Sequence, residues 1–176
     1  SPAKPAAPEQ PAAPEQSASA SAPTTVDATF GTDPTALTYN KALVPDGAHV
    51  QVVEVAESDS TKVTLTVGGL VPNRTYGAHA HAMRCGPTGE AAGPHFQNMA
   101  DPVKPSVNPQ FANPSNEIWL DFTTDAHGNA TATSTVPWTF GNPRASSVVI
   151  HADRTQTVPG KAGTAGARLA CVSVGF

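Results

Sequence analysis

The chain has 176 residues, 18 of them Pro and 14 Gly, with charged residues at only 14%, so one packed domain shares this length with something less ordered. A formal net charge of −4 and a pI near 5.8 leave no broad basic surface to neutralise phosphates, which sets nucleic-acid binding aside. No apolar run approaches the roughly 20 residues of a membrane-spanning helix, and the two cysteines, Cys85 and Cys171, exclude a four-cysteine metal site while suiting one disulfide in an oxidising compartment.

Residues 1–25 are built from Pro, Ala, Ser, Glu and Gln and repeat the unit PAAPEQ. Such a segment has too few large apolar side chains to bury a core and is expected to be an extended tether with polyproline II character. A leader of this kind is expected where an export signal has been removed and a lipid anchor once preceded Ser1, giving a secreted or envelope-tethered protein outside the cytoplasm.

From Val26 to Phe176 the pattern becomes short alternating runs between turn residues, the mark of an antiparallel all-β domain. Ala36–Tyr39 is the first expected strand. In His49–Val55 the alternation slips between Val52 and Val53, which predicts a β-bulge. Thr61–Val67 is the clearest strand, with Val63, Leu65 and Val67 on one face and Lys62, Thr64 and Thr66 on the other. Thr75–Ala82, Ile118–Thr123, Ala130–Thr135, Ser147–Ala152 and Arg168–Gly175 complete about eight strands, enough for a two-sheet sandwich. Cys85–Ser115 is a long stretch without periodicity, and a compact domain keeps such a loop when it carries function.

His79-Ala-His81 places two imidazoles at i and i+2 in a strand, so both project from the same face. His95 sits in the long loop and His151 ends the apolar run Val148-Val-Ile150. Together they offer four nitrogen ligands, a set suited to copper, zinc, nickel or iron. His127, in the turn sequence Thr124-Asp-Ala-His-Gly-Asn129, and His49, beside Asp46-Gly47, read as exposed residues. Met83 and Met99 flank the histidine motifs, and packing is the role expected of both.

In the same order, Gly77-Ala-His79-Ala-His81, Gly93-Pro-His95-Phe96, Val149-Ile-His151-Ala152 and Gly163-Thr-Ala-Gly166-Ala-Arg168-Leu-Ala-Cys171 resemble the signatures of copper-zinc superoxide dismutases. The resemblance spans about Val26 to Phe176 and implies an eight-stranded Greek-key sandwich. It also implies one copper held by His79, His81, His95 and His151, anion guidance by Arg168, and a Cys85–Cys171 disulfide. The implied activity is antioxidant: dismutation of superoxide to dioxygen and hydrogen peroxide, with His95 carrying a proton.

The family pattern has the loop histidine bridge copper to a zinc held by two further histidines and an aspartate, yet no histidine lies between His95 and Asp121. Glu117 falls about where the zinc aspartate belongs, and one carboxylate with one imidazole does not close a zinc site. The sequence therefore resembles copper-only members, with zinc absent. His95 then needs another partner for its second ring nitrogen. Asp101, Glu117 and Asp121 are the candidates, with Glu117 favoured, and a water is the alternative. The segment from Asp153 to Ala167, above the copper in the family, reads as shortened, with only Asp153, Arg154 and Lys161 as charges. A shortened lid points to an open centre, so a copper carrier or buffer with little turnover stands as the second functional reading. A purely structural adhesion sandwich does not account for the four histidines, and no Gly-x-Ser-x-Gly, His-Glu-x-x-His or phosphate-binding glycine loop is present.

Overall fold

Period-two alternation sets most of the architecture in the computed structural model, which describes residues 22–176. The tether expected over residues 1–25 thus lies almost wholly outside the described residues. Among the described residues nine strands form: β1 (Thr24–Thr29), β2 (Ala36–Thr38), β3 (His49–Ala56), β4 (Thr61–Gly68), β5 (Thr75–His81), β6 (Phe122–Thr123), β7 (Ala130–Val136), β8 (Ser147–His151) and β9 (Arg168–Ser173). They make two antiparallel sheets, one ordered β1-β3-β4-β7 and the other β2-β9-β8-β5-β6. The interleaving of sequence neighbours between the two sheets is that of a Greek-key sandwich.

Val63, Leu65 and Val67 of β4 are buried against the opposite sheet while Lys62 is exposed, as the alternation demands. β1 is an addition to the expected strands. Its inner face carries only Val26 and Ala28 as apolar residues, and its start overlaps the Pro- and Ala-rich leader.

The bulge expected between Val52 and Val53 is absent, because β3 pairs with β4 in unbroken register from His49↔Gly68 to Ala56↔Thr61. The phase does not slip; Glu54 takes the inner position after Val50 and Val52. Its carboxylate is buried, Oε1 has no hydrogen-bond partner, and the nearest cation, Arg144 Nη2, stands 3.9 Å away. The register shift occurs instead in β8 against β9, between Ile150 and His151.

The second sheet is covered on both faces, and this fixes where a site can form. Ala78 and Ala80 of β5 and Val148 and Ile150 of β8 face the sandwich core. The alternate positions His79, His81, Val149 and His151 face the other way and are also buried, under the loops. Residues 93–120 run along β5 through isolated bridges, His81↔His95 and His79↔Trp119, rather than as the full strand expected over Ile118–Thr123. The ladder breaks because Asp121 Oδ1 accepts the Ala78 amide at 3.0 Å, displacing a backbone carbonyl.

The Cys85–Cys171 disulfide ties the loop after β5 to β9, with Cα atoms 5.7 Å apart across a sequence separation of 86. Met83 and Met99 do not pack: their side chains extend from loops and are 57% and 66% exposed, so the packing role expected of them is corrected.

Two stability outcomes follow. Reduction of the disulfide, or Cys171→Ser, is expected to cost about 4–5 kcal/mol by loop-closure entropy, read from urea unfolding with and without reductant. Glu54→Leu is expected to raise stability by about 1 kcal/mol in the same assay, since it removes a buried carboxylate without a hydrogen-bonded partner.

Candidate metal centre

β5 supplies His79 and His81 to the outer face of the second sheet, and β8 supplies His151 beside them, with Gly77 paired to His151 and His81 to Ser147. The irregularity at Ile150/His151 re-aims the last side chain of β8 at this point. His95 arrives from the overlying loop, its backbone bridged to His81. One nitrogen from each of the four rings lies within 4.8 Å of the others. Among the described residues no second group of three or more such ligands forms.

The outer nitrogens determine what the inner ones can do. His81 Nδ1 donates to the Gly93 carbonyl at 2.9 Å and His151 Nδ1 to the Gly166 carbonyl at 3.4 Å. A carbonyl only accepts, so both rings carry their proton outside and present bare Nε2 atoms inside. Those two Nε2 atoms face each other at 3.2 Å, a repulsive arrangement of lone pairs unless a cation lies between them. His95 Nδ1 donates to Glu117 Oε1 at 2.8 Å, which leaves its Nε2 bare as well. His79 Nε2 meets Thr155 Oγ1 at 2.6 Å, and its Nδ1 is buried with no hydrogen-bond partner in the protein. Three lone pairs thus converge with the partnerless His79 Nδ1 where no donor meets them. An imidazole set of this kind fits a borderline transition metal such as copper or zinc.

Burial holds three of the rings, those of His79, His81 and His151, neutral. It pushes His79 and His81 well below the usual histidine range, and the neighbouring His95 and His151 push further in the same direction. His151 is lowered to about 3, by burial first and His95 second.

Gly93 and Gly166, whose carbonyls steady two of the rings, have φ of 70° and 74°, a left-handed backbone that glycine adopts without strain. The Gly93 carbonyl also accepts from Arg168 Nη1 at 2.7 Å, and the Gly89 carbonyl accepts from the same atom at 2.9 Å. Arg168, His95 and His151 line one cavity of about 850 Å³, together with residues 163–166. Burial lowers the Arg168 pKa from its ordinary value, against the raising effect of Glu90 and Tyr39.

Glu117 is fully buried and completely engaged: Oε1 accepts also from Trp119 Nε1 at 2.8 Å, and Oε2 from Gln97 Nε2 at 2.8 Å. The other two candidates for His95 lie elsewhere. Asp101 accepts from Ser106 Oγ and the Val103 amide, and Asp121 from Ala78 and Thr155. His127 is exposed in its turn, where its amide donates to Asp125, and His49 is exposed with Nε2 against the Asp27 carboxylate. Trp119, Gln97 and Thr155 were not singled out from the sequence, which holds no signal for partners that meet only through tertiary packing.

The copper/zinc superoxide dismutase family model matches residues 47–174. No curated protein matches the chain. Among solved structures, the Cu/Zn superoxide dismutase from Brucella abortus aligns with a TM-score of 0.58 at 17% identity, covering 85% of this chain and 99% of that one. A proline-to-histidine mutant of a superoxide dismutase-like protein from Bacillus subtilis aligns with a TM-score of 0.55 at 19% identity, covering 72% and 88% respectively. At these identities the two structures speak for the fold.

Glu117→Leu leaves the outer proton of His95, the indole of Trp119 and the amide of Gln97 without their acceptor. It is expected to weaken Cu(II) binding by about 10- to 100-fold, measured by competition with a chromophoric chelator.

Proposed function

The chain belongs to the copper/zinc superoxide dismutase family, and from that membership we propose that it dismutates superoxide at one copper ion held by His79, His81, His95 and His151, in a centre without zinc. The observation that carries this reading is the convergence of four imidazole nitrogens beside a guanidinium that lines the same cavity. Copper would supply the one-electron chemistry, cycling between Cu(II) and Cu(I).

The chain's own residues do the rest. Arg168, held by two backbone carbonyls through Nη1, lines the cavity and offers its guanidinium there as a site for a small anion. His95 has Nδ1 fixed by Glu117, so Nε2 is the atom at which it takes and releases a proton toward departing peroxide. That same contact speaks against zinc. Glu117 already occupies the nitrogen that family members turn toward zinc, and its remaining oxygen is taken by Gln97. The disulfide supports a location outside the cytoplasm, secreted or tethered to the envelope through the Pro- and Ala-rich leader.

Elemental analysis of protein reconstituted with both metals is expected to give one copper and no zinc per chain. Arg168→Ala is expected to keep the copper and slow superoxide decay by about tenfold or more, with a weaker dependence of the rate on ionic strength. Copper without turnover in the parent protein would favour a carrier, and stoichiometric zinc would overturn the site as drawn.

A further inference from the structure

His79 is the one ligand whose outer nitrogen faces a hydroxyl rather than a carbonyl or a carboxylate. A hydroxyl both donates and accepts, so by itself it does not decide which nitrogen of the ring carries the proton. Thr155 Oγ1 lies 2.6 Å from His79 Nε2 and 2.7 Å from Asp121 Oδ1. The carboxylate of Asp121 accepts only, and it also receives the Thr155 amide on Oδ2 at 2.8 Å and the Ala78 amide on Oδ1 at 3.0 Å. The single hydroxyl hydrogen of Thr155 therefore goes to Asp121. What remains toward His79 is a lone pair, which calls for a proton on Nε2 and strips Nδ1, the atom buried without any partner. Asp121 Oδ1 is 3.9 Å from Nε2, too far to do this directly, so the hydroxyl spans the gap.

We propose that Thr155 is a positioning residue for the metal centre: oriented by Asp121, it sets the tautomer of His79 and so makes Nδ1 available as a ligand. The proposal rests on the four histidines binding a metal, and it does not depend on superoxide turnover. Asp121 braces two segments at once, since its hydrogen bonds reach β5 through Ala78 and the loop after β8 through Thr155, whose hydroxyl in turn meets His79. Thr155 is 6% exposed and His79 fully buried, so water does not substitute readily for the hydroxyl.

The test reads the ring before any metal is added. In metal-free protein labelled with ¹⁵N, long-range ¹H–¹⁵N correlations are expected to show His79 with its proton on Nε2. Thr155→Val, close to isosteric, leaves Nε2–H without an acceptor and is expected to shift the ring wholly or partly to the Nδ1–H form. Thr155→Ser restores the hydroxyl and is expected to restore the parent pattern. Cu(II) affinity by chelator competition is expected to follow, falling about 10- to 100-fold in Thr155→Val and staying near the parent value in Thr155→Ser. A parent protein with the proton on Nδ1, or a Thr155→Val protein with unchanged tautomer and affinity, would overturn the proposal. A parent protein that shows the expected tautomer but binds no copper would instead sink the reading of the four histidines as its ligands and leave the ring geometry standing.

Discussion

Four imidazole nitrogens have to stay bare and close together over the outer face of the second sheet, and the surrounding structure answers to that constraint. A lone imidazole in such a place would flip or find a water. Here each ring is held from behind: Gly93 on His81, Gly166 on His151, Glu117 on His95 and Thr155 on His79. Two of the supports are carbonyls of glycines in left-handed conformations, which bring backbone oxygen to the ring without a side chain intervening. The arrangement carries a cost when no ion is present, visible in the buried His79 Nδ1 and in the two Nε2 atoms that face each other. Binding a cation relieves both at once, so metal affinity and folding stability are linked in this chain.

The same constraint explains why the second sheet is buried on both faces. A sandwich needs one covered face per sheet, and Ala78, Ala80, Val148 and Ile150 provide it. The outer face would ordinarily be wet. The long segments 85–120 and 152–167 close over it, and the strand expected at Ile118–Thr123 gives up most of its ladder to do so. Asp121 takes a backbone amide there with its side chain, trading regular pairing for a brace beneath His79.

Much of this was legible in the residues. The i, i+2 spacing of His79 and His81 fixed a shared face as soon as the segment was read as a strand, and the turn-rich pattern fixed the all-β class. The site's supports were harder to see, because hydrogen bonds between segments far apart in the chain leave no local periodicity. Asp121 was weighed as a partner for His95 and serves Thr155 instead. The predicted bulge in β3 failed for an instructive reason: a charged residue, Glu54, holds an inward position, and a reading based on apolar periodicity takes an inward carboxylate for a change of phase. Glycine carbonyls are similarly silent, since the sequence marks where a left-handed residue is tolerated and not what its oxygen will hold.

The disulfide divides the ligands in a way that bears on repair. Cys85 and Cys171 close a covalent ring that contains His95, Glu117, Asp121, His151, Thr155 and Arg168, while His79 and His81 sit just outside its neck. If the overlying loops were to peel away from the second sheet, the ring would keep these groups near β5, since Cys85 lies four residues beyond His81. Recapturing a lost ion would then be a search within a tethered circle rather than along an open chain. That confinement makes the centre self-resetting.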